Sequence, residues 1–156
     1  MYRKILIPLD GSDVAENSIQ YVKKIAQKHR VSKVYLMEVL PQFRSVFRSR
    51  LSPHNLGLVA QMSESVTSKY LSQIAGELEK EGINVESVVV TGKPEEEISS
   101  FARNNHVDLI VMTAHGYGKS LKHDFGHIAS NIISTAPVPV DLVKEPESVF
   151  RVKAVT

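Results

Sequence analysis

The sequence contains no cysteine. Disulfides, cysteine nucleophiles and thiolate metal sites are therefore excluded, and the composition agrees with a reducing compartment. No uncharged apolar run approaches the roughly 18 residues that a membrane span requires. The apolar stretch near the N-terminus is too short for a secretory signal, and Asp10 soon follows it. We therefore expect a cytoplasmic protein with no membrane partner.

The sequence also has little excess charge of either sign. Nineteen Lys and Arg residues against seventeen Asp and Glu residues leave a net charge of +2. A field this weak does not argue for nucleic acid, so we expect no nucleic-acid partner. Arg44, Arg48 and Arg50 cluster locally, which favours a solvated loop over a binding patch. A chain of 156 residues fits one domain with a sizeable core.

Short apolar runs typical of buried strands alternate with helical patterns along the whole chain. The predicted strands are 4–9, 33–40, 85–91, 108–113 and 138–143, and the predicted helices are 14–29, 58–78, 94–105 and 126–134. Residues 41–56 have no clear period and are predicted to form a loop near a cleft. Gly82 is suited to the left-handed position that follows a helix.

This alternation predicts an α/β fold, a single-domain doubly wound sheet of five parallel strands with helices on both faces. Pro139 cannot donate to a ladder, so the last strand is predicted to lie at an edge. The predicted domain covers residues 1–145. The tail, residues 146–156, alternates like a strand and is predicted to be an extra edge strand or a dimer contact.

In such a sheet, ligands bind outside the carboxyl ends of the strands, where the winding direction reverses. Two loops should meet there, one beginning at Asp10 and one following Thr113. Glycines at 116, 118 and 126 allow close backbone approach to an anion, and a helix opening near residue 126 offers free N–H donors. Lys119, Lys122 and His123 could add positive charge. The second loop does not complete the Walker pattern and follows strand four, which argues against a P-loop NTPase.

Three segments of the chain resemble the universal stress protein family: Ile5–Ser12, Thr113–Gly116 and Ala136–Val140. The resemblance covers residues 2–144. In nucleotide-binding members the second loop reads G-x-x-G, nine residues, then G-[ST]. Here Thr113 replaces the first glycine and His127 replaces the hydroxyl residue, which puts close backbone approach and the hydroxyl contact in doubt.

The resemblance implies an adenine nucleotide alpha hydrolase-like fold and an adenine nucleotide as ligand, ATP or AMP, with Mg²⁺ accompanying ATP. The residues predicted to bind it are Pro8, Asp10, Val39, Met112, Gly116, Gly126, His127 and Ile128. The family also implies a homodimer through the last strand and a regulatory role without efficient turnover. The alternative is a dimeric interaction protein of the same fold that has lost nucleotide binding.

Simpler interpretations remain open for several of these residues. Asp10 equally suits a cap of the following turn, and His115 is more typical of a turn than of a general base. Glu95–Glu97 are explained by the positive end of a helix. His123 and His127 lack further metal ligands. No set of residues forms a convincing catalytic constellation, so we predict no catalytic residue and at most weak ATP hydrolysis.

Overall fold

The computed structural model describes residues 1–12, 16–42, 50–114, 127–145 and 148–154. The strands are β1 (Lys4–Leu9), β2 (Lys33–Leu40), β3 (Val85–Thr91), β4 (Leu109–Thr113), β5 (Val140–Glu145) and β6 (Ser148–Val152). The helices are α1 (Glu16–Lys28), α2 (Pro53–Lys80), α3 (Pro94–Asn104) and α4 (His127–Thr135). The predicted alternation of strands and helices is confirmed.

The strands form one sheet in the order β3-β2-β1-β4-β5-β6. The first five strands pair in parallel, and β6 pairs antiparallel to β5. The prediction of five strands is therefore wrong by one, because residues of the tail add a sixth. The edge position predicted for the last parallel strand is also wrong. Pro139 precedes β5 and lends it only a carbonyl, which accepts from the Ile110 N–H at 3.0 Å.

Two apolar layers cover the sheet because side chains alternate between the faces of buried strands. Ile5, Ile7 and Leu9 of β1 point toward α1 and α2. Leu6 of the same strand points toward α3 and α4. The core residues of β1, β2 and β4 are almost fully buried on both sides. The continuous apolar runs in the sequence therefore reflect two-sided cover.

Helix α2 begins earlier than its apolar pattern predicts. Ser52 caps the helix by accepting the Asn55 N–H, and Pro53 occupies the first turn. The predicted loop over residues 41–56 is therefore wrong at its end, and residues 43–49 lie outside the described part of the chain. The apolar residues that suggested a start at 58 do not reach the core. Leu58, Met62 and Val66 are 46%, 68% and 69% exposed.

A buried ion pair fastens β6 to β5. The Asp141 side chain is fully buried, and Arg151 donates to its two oxygens at 2.6 and 2.7 Å. The Tyr21 hydroxyl of α1 donates to the same carboxylate at 2.9 Å. Burial, followed by this hydrogen bond to Asp141, raises the pKa of Tyr21 to about 12. Three elements therefore depend on one carboxylate.

Replacing Arg151 by alanine should lower the free energy of unfolding by about 3 kcal/mol, because it leaves the buried Asp141 carboxylate with Tyr21 alone. Urea denaturation followed by circular dichroism measures this change. Lys153→Ala removes an exposed cation two residues away and should change stability by less than about 0.5 kcal/mol. Equal denaturation midpoints for the two variants would show that the ion pair does not hold the strand.

Two helices end in the same motif with different residues. After α2, the N–H groups of Gly82 and Ile83 return to Glu79 and Leu78, and Gly82 has a φ of 79°. This confirms the predicted role of Gly82. After α3, the N–H groups of His106 and Val107 return to Arg103 and Ala102 in the same way, and His106 has a φ of 53°. A side chain at this left-handed position is uncommon, and glycine is the usual residue.

His106→Gly should therefore raise the free energy of unfolding, by up to about 1 kcal/mol, because it removes a Cβ from a left-handed residue. The reciprocal change, Gly82→Ala, should lower it by about 1 kcal/mol although no atom lies within 4 Å of the added methyl group. Chemical denaturation of both variants tests the pair. A His106→Gly protein less stable than the parent would mean that the imidazole ring itself stabilises the turn.

Candidate functional site

The sheet reverses its winding direction between β1 and β4. From β1 the chain proceeds outward through β2 to β3, and it then returns to the other side of β1 to form β4 and β5. The paired residues of β1 and β4 are Ile5 with Leu109 and Leu6 with Ile110. The ladder ends before Pro8, whose nitrogen has no hydrogen to donate. The crevice predicted at the carboxyl ends of the strands therefore lies between β1 and β4.

A tight turn follows β1 on one side of this crevice. The Asp10 Oδ1 atom accepts the Ser12 N–H at 2.9 Å, and Gly11 has a φ of 77°, a conformation that a side chain would strain. The turn supports the capping role proposed for Asp10. Because the Asp10 side chain is exposed, the carboxylate can also face a ligand.

Residues predicted to bind a ligand lie on three adjacent strands. Pro8 is half-buried near the end of β1, Val39 is half-buried near the end of β2, and Met112 is 7% exposed near the end of β4. Val39 and Met112 belong to the apolar layer under α3 and α4. Continuing the β1–β4 register places Pro8 opposite Met112. These strand ends provide an apolar wall beside the acidic turn.

Helix α4 connects β4 to its parallel neighbour β5, so it starts at the carboxyl ends of the strands. Its first residues, His127 and Ile128, are exposed. The amide nitrogen of Asn131 lies 3.1 Å from the His127 Nδ1 atom. The first backbone N–H groups of a helix have no acceptor within the helix, so the start of α4 presents donors at the carboxyl ends of the strands.

Part of the predicted site cannot be placed. Gly116, Gly126 and the charged residues Lys119, Lys122 and His123 lie outside the described residues, as does His115. Thr113, which replaces the first glycine of the family pattern, is half-buried at the end of β4. Alternation along the strand directs it to the face opposite Met112, toward α1 and α2.

Glu38 is a candidate that the sequence analysis missed. It lies at the carboxyl end of β2 beside Leu9 of β1. Its Oε2 atom is buried and has no hydrogen-bond partner within the described part of the chain. Burial, followed by the charge of Asp10, raises the pKa of this carboxyl above its ordinary value of 4.5. A lone acid near the end of an apolar strand was the available signal.

The raised pKa gives a stability prediction with a defined sign. The folded chain holds the Glu38 proton more tightly than the unfolded chain, so ionisation reduces stability as the pH rises above about 4.5. Glu38→Gln should therefore have a higher melting temperature than the parent at neutral pH. The difference should disappear in acid below that value.

Thermal denaturation across the acid-to-neutral range measures this difference. Glu77→Gln removes an exposed carboxylate from α2 and serves as the matched control. A Glu38→Gln protein that melts below the parent at neutral pH would mean that the ionised carboxylate stabilises the crevice.

The described residues set two limits on what the molecule can do. Among them, no three His, Asp or Glu side chains come together as metal ligands would. None of the described helices combines the length and the apolar character needed to cross a membrane. The crevice is bordered by an acidic turn, an apolar wall and the start of a helix.

The fold is that of an α/β protein with a crevice at the switch point of its sheet. Comparison with known proteins extends this description. The model of the universal stress protein family matches residues 1–144. The chain therefore belongs to the universal stress protein family.

Individual relatives agree with this assignment. The chain is 30% identical over 161 residues to universal stress protein MJ0577 of Methanocaldococcus jannaschii, with 95% of this chain and 98% of the relative covered. A solved structure of MJ0577 superposes with a TM-score of 0.82 at 29% identity and covers 95% of this chain and 99% of that one. UspA of Lactobacillus plantarum gives a TM-score of 0.78 at 22% identity, with 92% and 98% covered, and supports the fold.

Proposed function

We propose that this chain is a regulatory module that binds an adenine nucleotide, ATP or AMP, between β1 and β4 without efficient turnover. The observation that carries this proposal is the position of the Asp10 turn, the Val39 and Met112 wall and the start of α4 at the carboxyl ends of neighbouring strands, beside the switch point. An apolar wall suits a purine, and free N–H groups at a helix start suit phosphate. Asp10 is the exposed carboxylate that would face Mg²⁺ when ATP is bound.

Proteins of the same fold supply further support. One structural neighbour is a universal stress protein in complex with cAMP, and another is the Archaeoglobus fulgidus universal stress protein in complex with dAMP. Their identities to this chain are 16% and 24%, with a TM-score of 0.62 for each. The likeness establishes a shared fold, and the two ligands are what we extend to this crevice.

The second candidate function is an interaction protein that has lost nucleotide binding. It is favoured by His127, which occupies the first turn of α4 where the family pattern has a small hydroxyl residue. The His127 ring, fixed through Asn131, is larger than a hydroxymethyl group and cannot reproduce its contact. Under this hypothesis, Thr113→Gly combined with His127→Ser should create binding.

We also propose a homodimer, formed through β6. This strand occupies the edge that β5 would otherwise leave open, and it exposes 53% of Phe150. An edge strand with an exposed aromatic residue can pair with a second copy of itself across a two-fold axis. Native mass spectrometry of the purified protein reports the number of subunits and any nucleotide that copurifies.

Equilibrium dialysis with ATP, ADP and AMP tests the nucleotide site, with and without Mg²⁺. We expect saturable binding below millimolar concentration. Asp10→Ala, which removes both the charge and the turn acceptor, should weaken binding by roughly tenfold or more. Asp10→Asn keeps an oxygen for the Ser12 N–H, so it separates the contribution of the charge from that of the turn.

Glu64→Gln removes an exposed carboxylate from α2 and is the control for net charge. Binding of none of the three nucleotides below millimolar concentration would reject the proposal in favour of the interaction protein. Normal binding by Asp10→Ala would place the nucleotide elsewhere on the molecule. Phosphate release from ATP should not exceed that of a buffer blank.

A further inference from the structure

The amino ends of the strands, at the end of the sheet opposite the crevice, carry a second concave surface. It is a groove of about 560 Å³, which is within the range of small-ligand sites. Its lining comes from three segments that precede β1, β2 and β4. The lining residues that matter here are Arg3, Lys4, Arg30, Ser32, His106 and Asp108. We call this surface the amino-end groove.

The floor of the amino-end groove is held rigidly. Asp108 Oδ2 accepts the N–H groups of Arg3 and Lys4, each at 2.8 Å. The Arg3 carbonyl accepts the Ser32 N–H at 2.7 Å and the Ser32 hydroxyl at 2.9 Å. The Lys4 ammonium donates to the Asn105 carbonyl at 2.9 Å. Because three segments are cross-linked in this way, a ligand would find the groove already formed.

These hydrogen bonds occupy some of the charged side chains of the groove and leave others able to bind a ligand. Asp108 and Lys4 are engaged in holding the floor. Arg3 and Arg30 are exposed, and neither forms an ion pair with any residue that the structure describes. Guanidinium groups donate pairs of hydrogen bonds to the oxygens of an anion such as phosphate, so two arginines without an ion-pair partner beside a groove favour such an anion over a neutral ligand.

The lining of the amino-end groove carries a net positive charge, which the negative ends of the neighbouring helix dipoles reduce. Arg3, Lys4 and Arg30 give three positive charges and Asp108 gives one negative charge, which leaves two positive charges. All four described helices end at the amino ends of the strands, and the two that end directly beside the groove, α1 and α3, contribute about −0.5 each. Against these two adjoining helix ends, the lining keeps about one positive charge.

His106 supplies an independent reason to assign a function to the groove. It lines the groove from a left-handed position, where the matching turn after α2 has glycine. Residues held in a locally unfavourable backbone conformation cluster at functional sites. The imidazole adds a further polar contact beside the two arginines.

We propose that the amino-end groove binds the phosphate group of a small phosphorylated metabolite or inorganic phosphate itself, through Arg3, Arg30 and His106. This site is separate from the nucleotide crevice, since the two lie at opposite ends of the same strands. The ligand is a small molecule because the three groups line one groove of about 560 Å³.

Amide NMR spectra of the ¹⁵N-labelled protein, titrated with inorganic phosphate and with phenyl phosphate, locate this binding directly. Sodium chloride at matched ionic strength is the reference. We expect saturable shifts at residues 3–4, 30–32 and 106–108 with both probes if the phosphate group is the determinant. Saturation with phenyl phosphate alone would identify a phosphate ester as the ligand, and saturation with inorganic phosphate alone would identify the free anion. Either result supports the site.

Arg3→Gln and Arg30→Gln should each weaken phosphate binding by roughly tenfold. Lys69→Gln, which removes an exposed cation from α2, should leave it unchanged. The absence of saturable shifts in this groove with either probe would overturn the proposal. Saturation by single-stranded RNA without saturation by the small probes would also overturn it, in favour of a polymer.

His106→Gly separates binding from stability in one variant. It should fold more stably than the parent and bind phosphate several-fold more weakly, an outcome that general destabilisation cannot produce. Unchanged phosphate affinity in this variant would overturn the role of His106.

Discussion

The structure depends on one constraint: a parallel sheet must be covered on both faces, while each crossover between its strands keeps the same hand. A chain that starts at the central strand β1 can satisfy both conditions only by reversing its direction of travel once. The reversal falls between β1 and β4. The crevice is a consequence of this topology, because the connections on its two sides leave in opposite directions.

The same constraint explains how much the sequence could predict. Strands buried on both faces are continuous apolar runs, so β1, β2 and β4 were found with nearly correct bounds. The predicted start of helix α2 was too late because its first apolar residues, such as Met62, lie at helical spacing but on an exposed face. The extra strand β6 pairs with β5 and makes it an internal strand. This pairing is possible because Pro139 lies just outside the ladder and does not interrupt it.

Prediction of the site stopped at a different physical limit. The turn at Asp10 could be predicted because it follows directly from Gly11 and Ser12 in the sequence. For Glu38 the lone acid near a strand end was not a sufficient signal, because whether a strand carboxylate finds a partner depends on residues far away along the chain. His106 is similar: its left-handed φ follows from how α3 ends, and only coordinates reveal it. Local sequence patterns therefore predict turns and the buried faces of helices and strands. Groups without a hydrogen-bond partner can be identified only in the folded structure.

Glu38 and His106 also show how the two edges of the sheet differ from its centre. The centre of the sheet is apolar. Glu38, with its buried unpartnered oxygen, and His106, in its left-handed conformation, lie at opposite ends of the strands. Asp141 is a third locally unfavourable residue, because burying a carboxylate is costly. Here the cost is offset within the chain, since Arg151 and Tyr21 donate hydrogen bonds to the carboxylate. A buried carboxylate with its partners in the chain is explained by architecture. The unpartnered oxygen of Glu38 and the left-handed turn at His106 have no such partners among the described residues, and the two proposed ligand sites lie beside them.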